Sequence, residues 1–501
     1  MTRRGATKPV RRKQPTLAQR RAELDRRIAL ATHQAAKLDR LTRDWKARVL
    51  SADAAVIPDL KVLHARARAL VRDDPYAASA VRAFRRNVVG AGIRAAPARK
   101  SADGVLDDAW NRGVSELWEA WSKDPSAVDA EGRRTFAEIQ RWCVDELVQV
   151  GEALVVRCYK ARSDGLPGLM LQCVEAEQLD MDLVEWKEGD GPTRQVRGGV
   201  EIDEYGRAVA YHLKPETFPG LTIVDRKSIR KPAEDVIHVM EPGRARQTRG
   251  TGRFTSVMLK LRDLGQYDYA QLTAARAEAC IGIVVETPTT DASFGGTNPD
   301  GSPGADELTL LPLTTMRTQP GEKITPFAPT RPGGTYEPFI RAQLKAVAAG
   351  LGISYEQIAR DFTNGTYSSQ RQAMLEDRRE FKVMQELLIA QLCQPVYDDF
   401  VRDAALKKLV QFDANEYATR VVSFRRVLWM PDGWQWIDPE KEANADKAAL
   451  DSGFVTLEEL ALERGRDWRE IAQQRANEQA YIAGIKPVAP AAPGTEGPNG
   501  Q

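Results

Sequence analysis

Carboxylates, thiols and imidazoles are the groups able to perform acid–base catalysis, attack a substrate or hold a metal, so their spacing is the first thing to weigh. The five cysteines (Cys143, Cys158, Cys173, Cys280, Cys393) are far apart with no CxxC pair, and the four histidines (His33, His64, His212, His238) are equally dispersed. Neither pattern suits a zinc site or a disulfide framework. His212 and His238 each sit in a short apolar run and read as core or surface histidines. Asp180 with Asp182 and Asp398 with Asp399 offer carboxylate pairs, but no third ligand stands nearby, and both read as solvated acidic surface. No GxxxxGKS/T stretch is present to cradle a triphosphate and its magnesium, and neither GxSxG nor HExxH occurs. Gly90, Gly92 and Ala95 fit a loose GxGxxA, but they end a helical pattern instead of leading a strand into a helix, as a dinucleotide site requires. The expectation is a non-enzymatic protein with no catalytic residue, no metal and no cofactor.

Charge is distributed unevenly. The 501 residues hold 72 Lys or Arg against 70 Asp or Glu, a net +2, yet residues 1–50 alone carry fifteen basic and four acidic side chains. That segment is +11 and the remaining 451 residues are −9. The basic arm suits nucleic acid, an acidic partner or a solvated helix face. The longest run free of charged residues, Leu387 to Tyr397, has eleven residues, and a membrane helix needs roughly 18 to 20. No membrane span is expected, and the N-terminus lacks an apolar segment behind its charges.

The elements expected to position these residues follow from periodicity. Leu24, Ile28, Ala31, Ala35, Leu38, Leu41, Trp45 and Val49 recur at steps of three and four and predict an amphipathic helix. Asp74 and Pro75 open a helix that stops at Gly90, Trp110, Trp118 and Trp121 share a helix face over 107–121, and Thr135 with Glu138 forms a capping box. Short strands are then expected at Ala153–Cys158, Met170–Val174, Ala208–Leu213, Thr222–Val224 and Val236–Met240. A helix of roughly 30 residues, Thr255 to Ile283, leads into residues 286–338, where 16 of 53 positions are Gly or Pro around a strand such as Leu308–Leu313. Helical spacing returns over Tyr336–Leu351, giving two stalks and a small β-containing tip. A polar loop at 359–370 precedes a long helix to about Leu406, which Pro395 should kink or end near Gln394. Helices follow from Pro439 to about Ile482 with a stop at Ser452 and Gly453, and the last fifteen residues should be disordered.

Several stretches taken together resemble the portal proteins of tailed bacteriophages, the lambda-type family. They are DDPYAASAVRAFRRNVVGAGIRA (Asp73 to Ala95), TFAEIQRWCVDELVQVGEALVV (Thr135 to Val156), LQCVEAEQLD (Leu171 to Asp180), VIHVMEPGRARQTRGTGRF (Val236 to Phe254), AVAAGLGISYEQIARDFTNGTYSSQRQAMLEDRREF (Ala346 to Phe381) and WQWIDPEKEANADKAALDSGFVTLEELALERGRDW (Trp434 to Trp468). The resemblance runs from about residue 60 to 480 and leaves both ends outside.

It implies an α+β portal fold and a ring, usually of twelve subunits, at one capsid vertex, through which the terminase packages double-stranded DNA and from which it is later ejected. Residues 1–50 would be a basic helical arm, 51–250 a mixed α/β wing, 251–285 and 337–351 the stem helices, and 286–336 the clip. Residues 352–406 would form the tunnel loop and long kinked helix, 407–485 the wing end and helical crown, and 486–501 a disordered tail. Implied partners are further copies of the chain, DNA, the large terminase subunit, major capsid and scaffold proteins, and head–tail connector or adaptor proteins. The implied location is the virion, after assembly in the host cytoplasm. Candidate tunnel residues are Arg360, Asn364, Gly365, Thr366, Tyr367, Ser368, Ser369 and Arg371, with Arg341 and Lys345 facing the channel from the stem. Glu307, Arg317, Glu322 and Lys323 are candidate clip contacts. The plainer reading makes 364–369 a helix-entry loop capped by Ser368 or Ser369, and pairs Arg371, Arg378 and Arg379 with Glu376, Asp377 and Glu380. A gene-transfer particle or defective prophage would use the same architecture, and a DNA-processing enzyme or DNA-binding adaptor is the alternative of a different class.

Overall fold

Start and stop signals act where they stand in the sequence. In the computed structural model the chain is described from residue 47 to 484, apart from 188, 190, 192, 216–226, 280–281, 287–322, 328–335, 364, 412 and 435–438, together with a few residues before 46. Helix α1 spans Leu60–Asp73 and α2 Pro75–Val88. Asp74 Oδ1 accepts the Ala77 amide at 2.8 Å, Pro75 takes the first turn, and Gly90 ends the helix in the left-handed region at φ +56°. Strand β1 (Arg94–Pro97) leads to α3 (Asp108–Lys123), whose Trp110, Val114, Trp118 and Trp121 are buried. The expected capping box opens α4 (Phe136–Gln149).

Strands β2 (Glu152–Tyr159), β3 (Leu169–Val174), β4 (Glu185–Trp186), β5 (Arg194–Arg197), β6 (Val200–Ile202), β7 (Ala208–Leu213), β8 (Ile229–Pro232) and β9 (Val236–Met240) form two antiparallel sheets. Their orders are β3-β2-β9 and β4-β5-β6-β7-β8. Alternation along β2 explains the layering. Ala153 and Val155 enter the main core with α2, α3 and α4, whereas Leu154 and Val156 pack with Val200, Ile202, Tyr211 and Leu213 of the second sheet. Because β2 is buried on both faces, it separates a helical layer from a second sheet.

The chain continues through α5 (Met258–Ala279), the antiparallel pair β10 (Gly282–Glu286) and β11 (Lys323–Phe327), and α6 (Tyr336–Leu351). Next come α7 (Tyr355–Ala359), α8 (Tyr367–Leu388), a π-helical turn at Ile389–Cys393, α9 (Gln394–Leu406), α10 (Ala414–Phe424), β12 (Val427–Met430), α11 (Pro439–Asp451), α12 (Leu457–Glu463) and α13 (Trp468–Gly484). Strand β12 returns to pair with β1 across the chain. The architecture is mixed α+β, and no described helix is long and apolar enough to cross a membrane.

Some expectations are corrected. The helix expected from Thr255 is shorter: a 3-10 turn covers Arg253–Ser256, α5 has 22 residues, and the β-branched run at Ile283–Val285 forms strand β10 instead. Near Gln394 the long helix is interrupted, as expected, without being ended: the α-helical ladder stops at Leu388 and resumes at Gln394. The π turn just before Pro395 widens the ladder where the proline has no N–H to give, and α9 continues with Pro395 in its first turn. Trp45 and Val49 are not helical and are exposed by 71% and 105%, and most of the helix expected there lies outside the described residues. Thr222–Val224, Leu308–Leu313 and the last fifteen residues also lie outside them. The carboxylate pairs are solvated only in part: Asp182 is exposed and Asp398 half-buried, whereas Asp180 and Asp399 are buried. Asp399 is buried between Arg157 and Arg402, and Asp180 and Asp182 both engage Lys214, with Lys61 also on Asp182.

Candidate functional site

The segment Arg249–Phe254 roots the α5–α6 helix pair in the core. Arg249 is fully buried, with Nε 2.8 Å from Glu152 Oε1, and donates from its two terminal nitrogens to Gly198 O at 2.5 Å and Ala176 O at 3.1 Å. Gly250 and Gly252 thread against the backbone of 149–151. A Cβ on Gly252 would stand 2.0 Å from Gln149 O, and one on Gly250 2.1 Å from Gly151 O. Phe254 is fully buried, while Arg253 Nη1 donates to Glu380 at 2.5 Å and its guanidinium lies 5.2 Å from the Phe84 ring centroid. Arg253 thereby joins the start of the outgoing helix to the long helix α8.

Helices α5 and α6 run antiparallel. Leu264 clusters with Ile340 and Leu344, Tyr267 stacks on Tyr336 with ring centroids 6.1 Å apart, and at the root a Cβ on Gly350 would meet Val257 at 2.3 Å. Tyr336 donates its hydroxyl to Asp268, a bond that with burial pushes the phenol up to about 12. The far ends of the pair lead toward β10 and β11.

The return from α6 into α8 is held by carboxylates. Asp361 accepts from the Thr363 hydroxyl and amide, from the Tyr355 hydroxyl at 2.9 Å and from Arg341 at 3.1 Å, and this holds its carboxyl down at about 2. Asp377, buried on α8, accepts from the Ser354 amide at 2.7 Å and hydroxyl at 2.6 Å. Gln370 donates to Phe362 O at 3.0 Å, and Thr366 Oγ1 accepts the Ser369 amide at 3.3 Å. Gly365, Thr366, Tyr367, Ser368 and Ser369 are exposed on this loop and first turn. The arrangement is a polar loop fixed to a helix pair, and no metal-ligating cluster is found among the described residues.

A family model described as phage portal protein, lambda family, matches residues 38–385. The chain belongs to this family. Members of the portal family are not enzymes. A protein named "Probable portal protein" from Halomonas phage phiHAP-1 is 27% identical over 478 residues, covering 92% of this chain and 86% of that one. Portal protein B of Escherichia phage lambda is 25% identical over 485 residues, covering 90% of each. Among solved structures, a chain of the virion of a native gene transfer agent particle is similar at a TM-score of 0.41 and 13% identity, covering 84% of this chain and 94% of that one. An HK97 family phage portal protein from Corynebacterium diphtheriae is similar at a TM-score of 0.31 and 12% identity, covering 62% and 85%.

The portal candidates named from sequence are placed as follows. Arg341 is bound by Glu337 at 2.9 Å as well as by Asp361, so it serves the joint between stalk and loop. Lys345 and Arg371 are exposed, and Arg360 caps α7 in the left-handed region at φ +56°. The α8 cap is Thr366, not Ser368 or Ser369, because its extended backbone aims Oγ1 at the amide three residues on. Of the expected ion pairs, Arg379–Glu376 forms at 2.9 Å; Asp377 turns to Ser354, Glu380 to Arg253, and Arg378 lies 5.6 Å from the Trp434 ring centroid. Asn364, Glu307, Arg317 and Glu322 lie outside the described residues, as does the side chain of Lys323 in β11. Sequence reasoning missed Arg253, Asp361 and Tyr355. The RGTGRF and IARDFT segments that hold two of them are conspicuous, but tight glycine packing and long-range ion pairing leave no periodic signal.

Proposed function

We propose that copies of this chain close into a ring, of twelve subunits in the virion, around a passage for double-stranded DNA at one capsid vertex. The observation that carries the reading is membership of the lambda portal family across residues 38–385. The antiparallel pair α5 and α6, rooted in the core and leading to a Gly- and Pro-rich excursion, is consistent with a stem and clip. In this reading residues 51–250 are the wing, 251–285 and 337–351 the stem, 286–336 the clip, 352–406 the tunnel loop with its long helix, and 407–485 the wing end and crown. The clip, through Glu307, Arg317, Glu322 and Lys323, meets the terminase during packaging and connector proteins afterwards.

The physics of translocation favours a weakly adhesive wall. Each neutralised phosphate adds to a salt-dependent hold, and a continuous basic lining would trap the polymer in a deep well. A body of net −9 per copy with sparse cations such as Lys345, Arg360 and Arg371 lets DNA slide. Electron microscopy of the purified full chain, with its mass in solution, tests the reading. Rings with an open centre are expected, and lone subunits or solid-centred assemblies would overturn it.

A further inference from the structure

Helices α2 and α7 bring Arg86 and Arg360 together around Gln357, and Glu356, the acid of α7, forms no ion pair with either among the described residues. Arg86, exposed on α2, donates to Gln357 Oε1 at 3.2 Å, and Ser79 two turns earlier donates to Gln357 O at 3.5 Å. Arg360 stands three residues beyond Gln357, exposed at the C-terminal end of α7, and Arg82, one turn before Arg86, is exposed as well. Three nearby aspartates are engaged elsewhere: Asp361 by Thr363, Tyr355 and Arg341, Asp377 by Ser354, and Asp145 by Arg85. Burial first, and then the charge of Arg360, push the Arg86 guanidinium down, with no carboxylate opposing them. A guanidinium stays charged in a protein, so deprotonation cannot relieve this repulsion; an anion from outside can.

We propose that Arg82, Arg86 and Arg360 form an anion-recognition patch that holds the phosphate backbone of double-stranded DNA. This rests on the conduit reading above and adds to it a contact from α2, which the sequence did not single out. The guanidinium fork suits the paired oxygens of phosphate as it does those of a carboxylate, and phosphate is favoured because Arg360 stands two residues before Phe362, where the exposed polar segment of the conduit reading begins. A carboxylate from a neighbouring copy is the competing occupant.

The test uses rings of the full chain and a short DNA duplex as probe, with apparent affinity measured across a salt series. Arg86→Gln and Arg360→Gln, singly and together, should leave ring assembly intact and flatten the plot of log affinity against log salt by about one unit of slope for each phosphate no longer neutralised. Arg86→Lys keeps the charge and should keep the wild-type slope, which separates a missing charge from a damaged fold. An unchanged slope in assembled double-variant rings overturns the proposal. Failure of the double variant to assemble while wild type and Arg86→Lys do would also overturn it, assigning the patch to an interface between copies. Wild-type protein that forms no rings removes the underlying reading, and the proposal with it, before DNA is added.

Discussion

Glu152 and Arg249, 97 residues apart in the chain, face each other with no solvent exposure on either side chain. The carboxylate also accepts from Gly250 N at 3.0 Å and contacts His238 Nε2 at 2.9 Å, while the guanidinium reaches the carbonyls of Gly198 and Ala176. Strand β2, the second sheet and the root of α5 are therefore tied at one buried point. Arg249→Met should cost about 3–5 kcal/mol, because it strands a buried charge, and adding Glu152→Leu should recover a substantial part. Denaturant midpoints of the three proteins check this, and equal midpoints for the single and double variants would refute it.

Acid should weaken that tie. The carboxyl of Glu152 is driven up by burial but more strongly down by the charges of Arg249 and His238 together with their hydrogen bonds, so its net shift is well below the usual range. Its stabilisation is present above the unfolded value of about 4.3 and fades as pH falls toward the folded value. Asp145 has the opposite sign: burial outweighs Arg85 and raises it to about 6. Its contribution is present below about pH 4 and is lost as pH rises through 6. Melting temperatures of wild type and Asp145→Asn between pH 4 and 7 should diverge in slope, the variant losing less on the alkaline side.

Glycine at 252 is required by close approach. A methyl group there would overlap Gln149 O, so the backbone of 149–151 must move or the root of α5 must lift. Gly252→Ala should destabilise by about 3 kcal/mol or more, whereas Gly265→Ala, with open space around its Cβ position in α5, should be neutral or stabilising by up to about 1 kcal/mol. Thermal melts of the two variants side by side give the comparison.

Capping of α8 by Thr366 separates two roles within one loop. Thr366→Ala should cost about 1 kcal/mol of local helix stability, visible as faster amide hydrogen exchange over the first turn of α8. Ser368→Ala should leave exchange unchanged. Equal effects at both positions would contradict the assignment.

Local signals were legible in the sequence wherever one stretch contained the whole cause. The Asp74–Pro75 start, the Thr135–Glu138 box, helix α6 and strand β9 needed only capping chemistry and apolar period. Strands β5, β8 and β12 were not readable, because their residues are half-polar and they become strands only through partners distant in the chain; β12 pairs with β1 some 330 positions away, Arg94 opposite Met430.

The sequence by itself determined the mixed α+β class, the paired helices around a Gly- and Pro-rich excursion, and the family, because periodicity, caps and ordered motifs are properties of short segments. Tertiary structure alone decided which charges meet. It buried Arg249 on Glu152, turned Asp377 and Glu380 away from their helix neighbours toward Ser354 and Arg253, and left Arg86 beside Arg360. Coulomb energy depends on distance and local dielectric, and both are fixed only when remote segments pack.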